Sequence, residues 1–166
     1  PAVHGREHPQ DRRRRHPGAG GVRFGFLGRL SPEKGTQDLL AIARRLTDDG
    51  LPARLDIAGE GVDARWLATE VAALPHAERI RLRGMVTDVA SFLEDVDVLV
   101  MPSKNEGLPY ALLEGMAAGC TVIAYAVGGI PEVLDDARLG VTVPAGDRAA
   151  LLEAIDRLRA EPAAVR

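Results

Sequence analysis

The chain has 166 residues, of which 46% are hydrophobic, enough for one domain around one core, and only 4% aromatic, so that core is mostly Ala, Val, Leu and Ile. A formal net charge of −3 excludes a general pull toward nucleic acid or anionic membrane. The single cysteine, Cys120, excludes a disulfide framework, and no apolar run approaches the roughly 18 residues of a membrane span. A reducing compartment follows, so the expected location is the cytoplasm, with the inner membrane face as a peripheral alternative.

Residues 1–21, "PAVHGREHPQDRRRRHPGAGG", hold almost nothing to bury. Arg6 and Arg12 to Arg15 outweigh Glu7 and Asp11, giving +3. Such a segment is expected to be a disordered tail or linker remnant, leaving 22–166 as the folded unit. His4 and His8 have i,i+4 spacing, but Gly5 and Pro9 oppose a helix there, so no metal site is expected.

From Val22 the pattern alternates. "VRFGFLG" reads as a strand and "TQDLLAIARRL" as a helix with Leu39, Ile42, Ala43 and Leu46 on one stripe. "ARLDIAG" is a strand, "DARWLATEVAAL" a helix on which Trp66 packs at the core or rim, and "IRLRG" a short strand. "VASFLED" gives a turn or two of helix, and "VDVLVMP" an apolar strand buried on both faces. Pro109 suits the first turn of a helix running to Ala118. "TVIAY" is a strand, "GGIPEVL" a short helix, "LGVTVP" a last strand, and "DRAALLEAIDRL" a helix capped by Asp147. The alternation predicts an α/β fold: a Rossmann-like, doubly wound parallel sheet of about six strands with helices on both faces.

In such a sheet, ligands bind beyond the C-terminal ends of the strands. After the first strand comes "GRLSPEKG", in which Gly28 leaves the strand and Arg29 and Lys34 flank a turn before a helix. Two cations near a helix N-terminus oppose its dipole unless an anion sits between them, so this loop is a candidate phosphate or diphosphate site. It is neither a Walker A nor a GxGxxG sequence. "AGEG", 58–61, centred on Gly59 and Glu60, allows close backbone approach or is simply a turn. Asp95 and Asp97 mimic a DxD metal motif, but a turn cap and a satisfied polar residue account for them.

"NEGLPYALLEGMAAG", 105–119, carries Glu106 in a turn and Glu114 in a helix. Near a helix start Glu106 serves at least as a cap. On a helical wheel Leu112, Leu113, Met116 and Ala117 form the apolar face, and Glu114 lies roughly 130° from its centre. Ala111, Gly115 and Ala118 share the side of Glu114. This reading puts a packed group, such as a sugar, against that side.

"GRLSPEKG", "AGEG" and "DVDVLVMPSKNEGLPYALLEGMAAGCTVIAYAVGGIPEV", in that order, resemble the C-terminal domain of family 4 retaining glycosyltransferases of the GT-B type, also called glycosyl transferase group 1. "EGLPYALLE" fits their E-x7-E motif, and the resemblance runs from about Val22 to Arg159. It implies a donor domain for a nucleotide-diphosphate sugar, with no cofactor and no bound metal, in polysaccharide or glycolipid synthesis. Arg29 and Lys34 match the diphosphate-binding pair, Glu106 the carboxylate on the donor sugar, and Glu114 the one on the ribose. Gly28, the 58–61 loop with Glu60, and the turn at Gly107 and Leu108 would line the donor, and Arg83 to Val86 would lie against the base. Pro109 removes one backbone donor from the sugar-binding turn. The resemblance also implies a partner absent from this sequence, an N-terminal acceptor domain, and an acceptor of unspecified chemistry. Alternatives are a nucleotide-sugar-binding module without catalysis, or half of a UDP-sugar 2-epimerase.

Overall fold

The computed structural model of the chain describes residues 21–48 and 51–161. The expectations made for residues 1–20, including the arginine run, His4 and His8, lie outside the described residues.

Strands β1 (Val22–Leu27), β2 (Ala53–Ala58), β3 (Ile80–Gly84), β4 (Val98–Met101), β5 (Thr121–Tyr125) and β6 (Gly140–Val143) form one sheet in the order β3-β2-β1-β4-β5-β6. Every neighbouring pair is parallel. Between them run α1 (Thr36–Asp48), α2 (Ala64–Ala72), α3 (Val89–Glu94), α4 (Tyr110–Ala117) and α5 (Ile130–Val133), with α6 (Arg148–Ala160) last. The expected Rossmann-like fold is therefore present. None of the described helices is long and apolar enough to cross a membrane.

The two sheet faces bury different helices. Val22, Phe24, Phe26, Leu55 and Ile57 meet the apolar stripes of α1 and α2, and Ile123 and Tyr125 meet α6 through Leu151 and Ile155. On the other face Leu99, Met101, Val122 and Ala124 meet Phe92 and Leu93 of α3, Leu112 of α4 and Ile130 of α5. β4 and β5, covered on both sides, are buried at every position, as their continuous apolar sequences require. Side-chain caps fix two helix starts: Asp147 accepts from Ala150 N at 3.0 Å and Asp88 from Ser91 N at 3.0 Å. Asp97 accepts from the Arg23 backbone and guanidinium at 2.9–3.1 Å, and Asp95 from the same guanidinium at 3.3 Å, so both acids of the DxD look-alike serve one arginine.

The helical wheel drawn for α4 needs correction. Pro109 is the N-cap and not a first-turn residue. Leu112 and Gly115 are the buried positions, while Leu113 is 41% exposed. A Cβ on Gly115 would run into the Leu99 side chain. Gly115 thus lets α4 sit close on β4, and the room beside it is filled by Leu99, whereas Ala111 lines the cleft at the strand ends. The wheel failed because it ranked positions by hydrophobicity, whereas close helix–sheet approach selects small side chains at the contact.

Cys120 packs between α3 and α4 with its Sγ 3.4 Å from the Val96 carbonyl. Burial, and then the charge of Asp97, push its thiol up to about 12. Folding therefore favours the protonated thiol. The stabilisation is complete below the unfolded value near 9 and is lost as pH climbs toward about 12. The native chain at pH 8 should not react with Ellman's reagent, and one thiol should titrate after unfolding in guanidinium. Rapid stoichiometric labelling of the native chain would contradict this burial.

Candidate functional site

The loops at the C-terminal edge of the sheet are joined backbone to backbone. Gly59 N donates to Gly84 O at 2.7 Å, tying the end of β2 to that of β3. Leu30 N donates to Glu60 O at 2.8 Å, and Asp63 N to Leu30 O at 3.1 Å, tying the β2 loop to the β1 loop. Lys104 N donates to Glu33 O at 2.8 Å, and Gly129 N to Gly107 O at 2.9 Å, adding the loops after β4 and β5. Two glycines make this contact physically allowable. Gly35 has φ +79° and a Cβ there would overlap the Pro102 carbonyl; Gly128 has φ +54° and a Cβ would overlap the Glu106 carbonyl.

The stitched loops leave a cleft of about 540 Å³ in which Gly28, Arg29, Lys34, Glu106, Leu108 and Tyr110 converge. Pro32–Lys34 form a single 3-10 turn, and α1 begins at Thr36, where the sequence put it. Lys34 Nζ donates to Glu106 Oε1 at 2.6 Å. The lysine side chain is 29% exposed and the glutamate 10%, so the pair is shielded on one side and open to the cleft on the other. Arg29 is exposed on the cleft wall and makes no ion pair among the described residues. Ser31, in the same loop, is buried and its hydroxyl has no hydrogen-bond partner among the described residues. Tyr110 is 83% exposed at the cleft mouth. Chemically, the cleft offers one free guanidinium and one ammonium whose carboxylate partner can be exchanged for an entering anion.

The sequence singled out Gly28, Arg29, Lys34, Glu106 and Leu108, and the structure brings them together. Gly107 lies in the same loop, with open space where a Cβ would stand. Glu114 is exposed on α4, outside the residues that line this cleft. Glu60 contributes its carbonyl to the loop stitching. Arg83 and Val86 line a different cavity, which shares no residue with the first. Sequence reasoning missed the Lys34–Glu106 contact, Ser31 and Tyr110. The available signal for the first was that both residues follow adjacent central strands.

Residues 21–161 match the family described as Glycosyl transferases group 1. The chain belongs to that family. Among curated relatives, it is 36% identical over 140 residues to the 2-deoxystreptamine N-acetyl-D-glucosaminyltransferase of Streptomyces fradiae, covering 82% of this chain and 33% of that protein. The chain spans about a third of the length of the curated relatives it matches. Among solved structures, the C-terminal domain of the glycosyl transferase group 1 protein LpcC from Francisella tularensis superposes with TM-score 0.73 at 26% identity, over 98% of this chain and 86% of that one. TarM of S. aureus, solved as a point mutant with UDP and other ligands, superposes with TM-score 0.79 at 20% identity, over 88% of this chain and 30% of TarM, and shares the fold.

The glycine contacts make a stability prediction for this group 1 domain. Gly35→Ala should destabilise it by at least about 1–2 kcal/mol, the cost of a left-handed residue with a side chain, before the overlap with Pro102 is added. Urea denaturation checks this. Gly107→Ala, at a position open to solvent, should change the midpoint little.

Proposed function

We propose that the cleft binds the diphosphate of a nucleotide sugar, and that the chain is the donor half of a retaining glycosyltransferase completed by an N-terminal acceptor half. The observation that carries this reading is the convergence of Arg29, Lys34 and Glu106, from the loops after β1 and β4, in one cleft at the C-terminal edge of the sheet. TarM, of the same fold, was solved with UDP bound.

The proposed chemistry is electrostatic. Breaking the bond between sugar and diphosphate leaves negative charge on the phosphate oxygens. Arg29 and Lys34 are placed to stabilise that charge as it develops. Before the donor enters, Glu106 holds Lys34 at 2.6 Å. The entering diphosphate supplies a second anion to the ammonium, and the released Glu106 oxygens can accept from sugar hydroxyls. Glu106 thus has two successive partners, Lys34 in the empty cleft and the sugar in the filled one. Glu114, exposed on α4 and without an ion pair among the described residues, is the acceptor proposed for the ribose hydroxyls, with the base toward Arg83 to Val86. The acceptor substrate would approach from the side of Leu108 and Tyr110, which face solvent here.

Calorimetry with UDP tests the diphosphate site. Arg29→Ala and Lys34→Ala should each cost about 1.5–3 kcal/mol in UDP affinity, as for a charge-assisted hydrogen bond, and leave uridine binding unchanged. UDP affinity unchanged from the parent chain in both variants would rule the site out.

Glu114→Ala should weaken a ribonucleoside diphosphate more than its 2′,3′-dideoxy analogue, because the analogue already lacks the donors. Equal losses would leave Glu114 as an ordinary helix-surface acid. Sugar transfer should be absent with the chain alone and appear when an N-terminal half is supplied, fused or in trans. Robust transfer by the chain alone would overturn the two-half reading.

A further inference from the structure

Parallel sheets are covered on both faces in nearly all folds, because their strands are joined by crossover helices. Here α3, α4 and α5 cover one face only over β4, β5 and part of β1. Among the described residues no helix covers the same face over most of β2 and β3, where Arg54, Asp56, Arg81 and Arg83 stand; Ala58, at the end of β2, is already buried in the covered part. Register places Arg23 beside Arg54, and Asp56 beside both Gly25 and Arg81. Arg83 follows at the irregularity where β3 leaves β2. A cavity of about 470 Å³ lies over this row, closed on one side by Phe92 and Val96, which are apolar and nearly buried.

The charges in this cavity are unevenly matched. Arg23 is held by Asp97 and Asp95. Arg83 is held by Asp56 at 3.2 Å. Asp88 caps α3 through Ser91 N. Arg54 and Arg81 have no ion pair among the described residues. They stand diagonally on adjacent strands, one pleat step apart, so their Cα atoms are about 8 Å apart from strand spacing and rise. At that separation two flexible guanidiniums can close on one tetrahedral anion, each presenting its fork of N–H donors.

We propose that this cavity is a second anion site, distinct from the Arg29–Lys34 cleft, which takes a small soluble phosphate monoester bearing an apolar group. The phosphate sits between Arg54 and Arg81, and the apolar group lies toward Phe92 and Val96. Arg23 and Arg83, already neutralised by acids, set the wall and do not compete for the ligand. The cavity volume suits a ligand of modest size and falls within the usual range of small-molecule pockets. Arg83 and Val86, proposed to lie against the nucleotide base, also line this cavity; Arg54 and Arg81 line only this one, so the phosphate position does not rest on the donor reading.

Amide NMR of the chain titrated with phenyl phosphate tests the proposal. Saturable shifts should appear around Arg54, Asp56, Arg81 and Phe92. They should persist in Lys34→Ala and weaken about tenfold or more in the doubly substituted Arg54→Ala/Arg81→Ala chain. Both arginines are exposed, and the same spectra report whether the double variant is folded. Arg54→Lys/Arg81→Lys should restore part of the affinity, since the charge remains and the fork is lost. Inorganic phosphate should bind more weakly than phenyl phosphate. Shifts that vanish in Lys34→Ala, or that survive the double alanine substitution, would overturn the proposal. So would no saturable response, or binding to phosphatidic-acid vesicles without any to phenyl phosphate.

Discussion

Backbone atoms of three loops lie against one another at the C-terminal edge of the sheet, and the candidate site exists because of that approach. At Gly35 the turn after β1 touches the Pro102 carbonyl that ends β4; at Gly128 the turn after β5 touches the Glu106 carbonyl. A side chain at either position would push the loops apart. The Lys34–Glu106 pair spans the first of these contacts. Its geometry is therefore set by glycine-permitted backbone contact more than by the attraction between the two charges.

The magnitudes agree with that ordering. An ion pair open to solvent on one side contributes little net stability, because desolvation and side-chain entropy offset most of the Coulomb gain. What the pair supplies is position. The ammonium is already in the cleft, its charge is already compensated, and Glu106 is already oriented, so an arriving anion meets an organised site. A comparable device fixes the far side of the sheet. Asp38, buried in α1, takes the Arg148 guanidinium at 2.5 Å and lies beside the buried Tyr125 hydroxyl, which burial and that carboxylate push up to about 12. This cluster holds the start of α6 against α1.

Much of the architecture was legible because the local signals agreed. Short apolar runs, helical stripes and the Asp147 cap pointed to the same alternation, and the six-stranded parallel sheet has that order of elements. The cleft was legible in outline, since ligands in such folds gather at the strand ends and the cations of "GRLSPEKG" lie there. Three features were not legible, each for its own reason. The face that α4 buries depends on close approach to Leu99, which hydrophobicity does not encode. The Lys34–Glu106 contact joins residues 72 positions apart; strand order brings their loops together, but neither segment specifies which side chains pair. The separation of Arg83 and Val86 from the cleft follows from the open sheet face, and a sequence does not reveal which strands a short helix such as α3 leaves uncovered.

The central position of β1 bears on how the chain folds. Its first neighbour, β2, is near in sequence, with Val22 opposite Ala53, whereas its second, β4, is reached only when Arg23 meets Asp97, 74 residues away. Loop-closure entropy grows slowly with length, so the second closure costs only about 0.8 kcal/mol more than the first. The larger difference is in time. During synthesis β1, β2 and β3 emerge as a half-sheet whose inner edge has no strand to pair with until the ribosome has released residues through Met101. An unpaired apolar edge of that kind invites pairing with other nascent chains. Arg23, standing on that edge with only the nearby Asp56 to offset it until Asp97 arrives, puts a charge there that opposes such encounters.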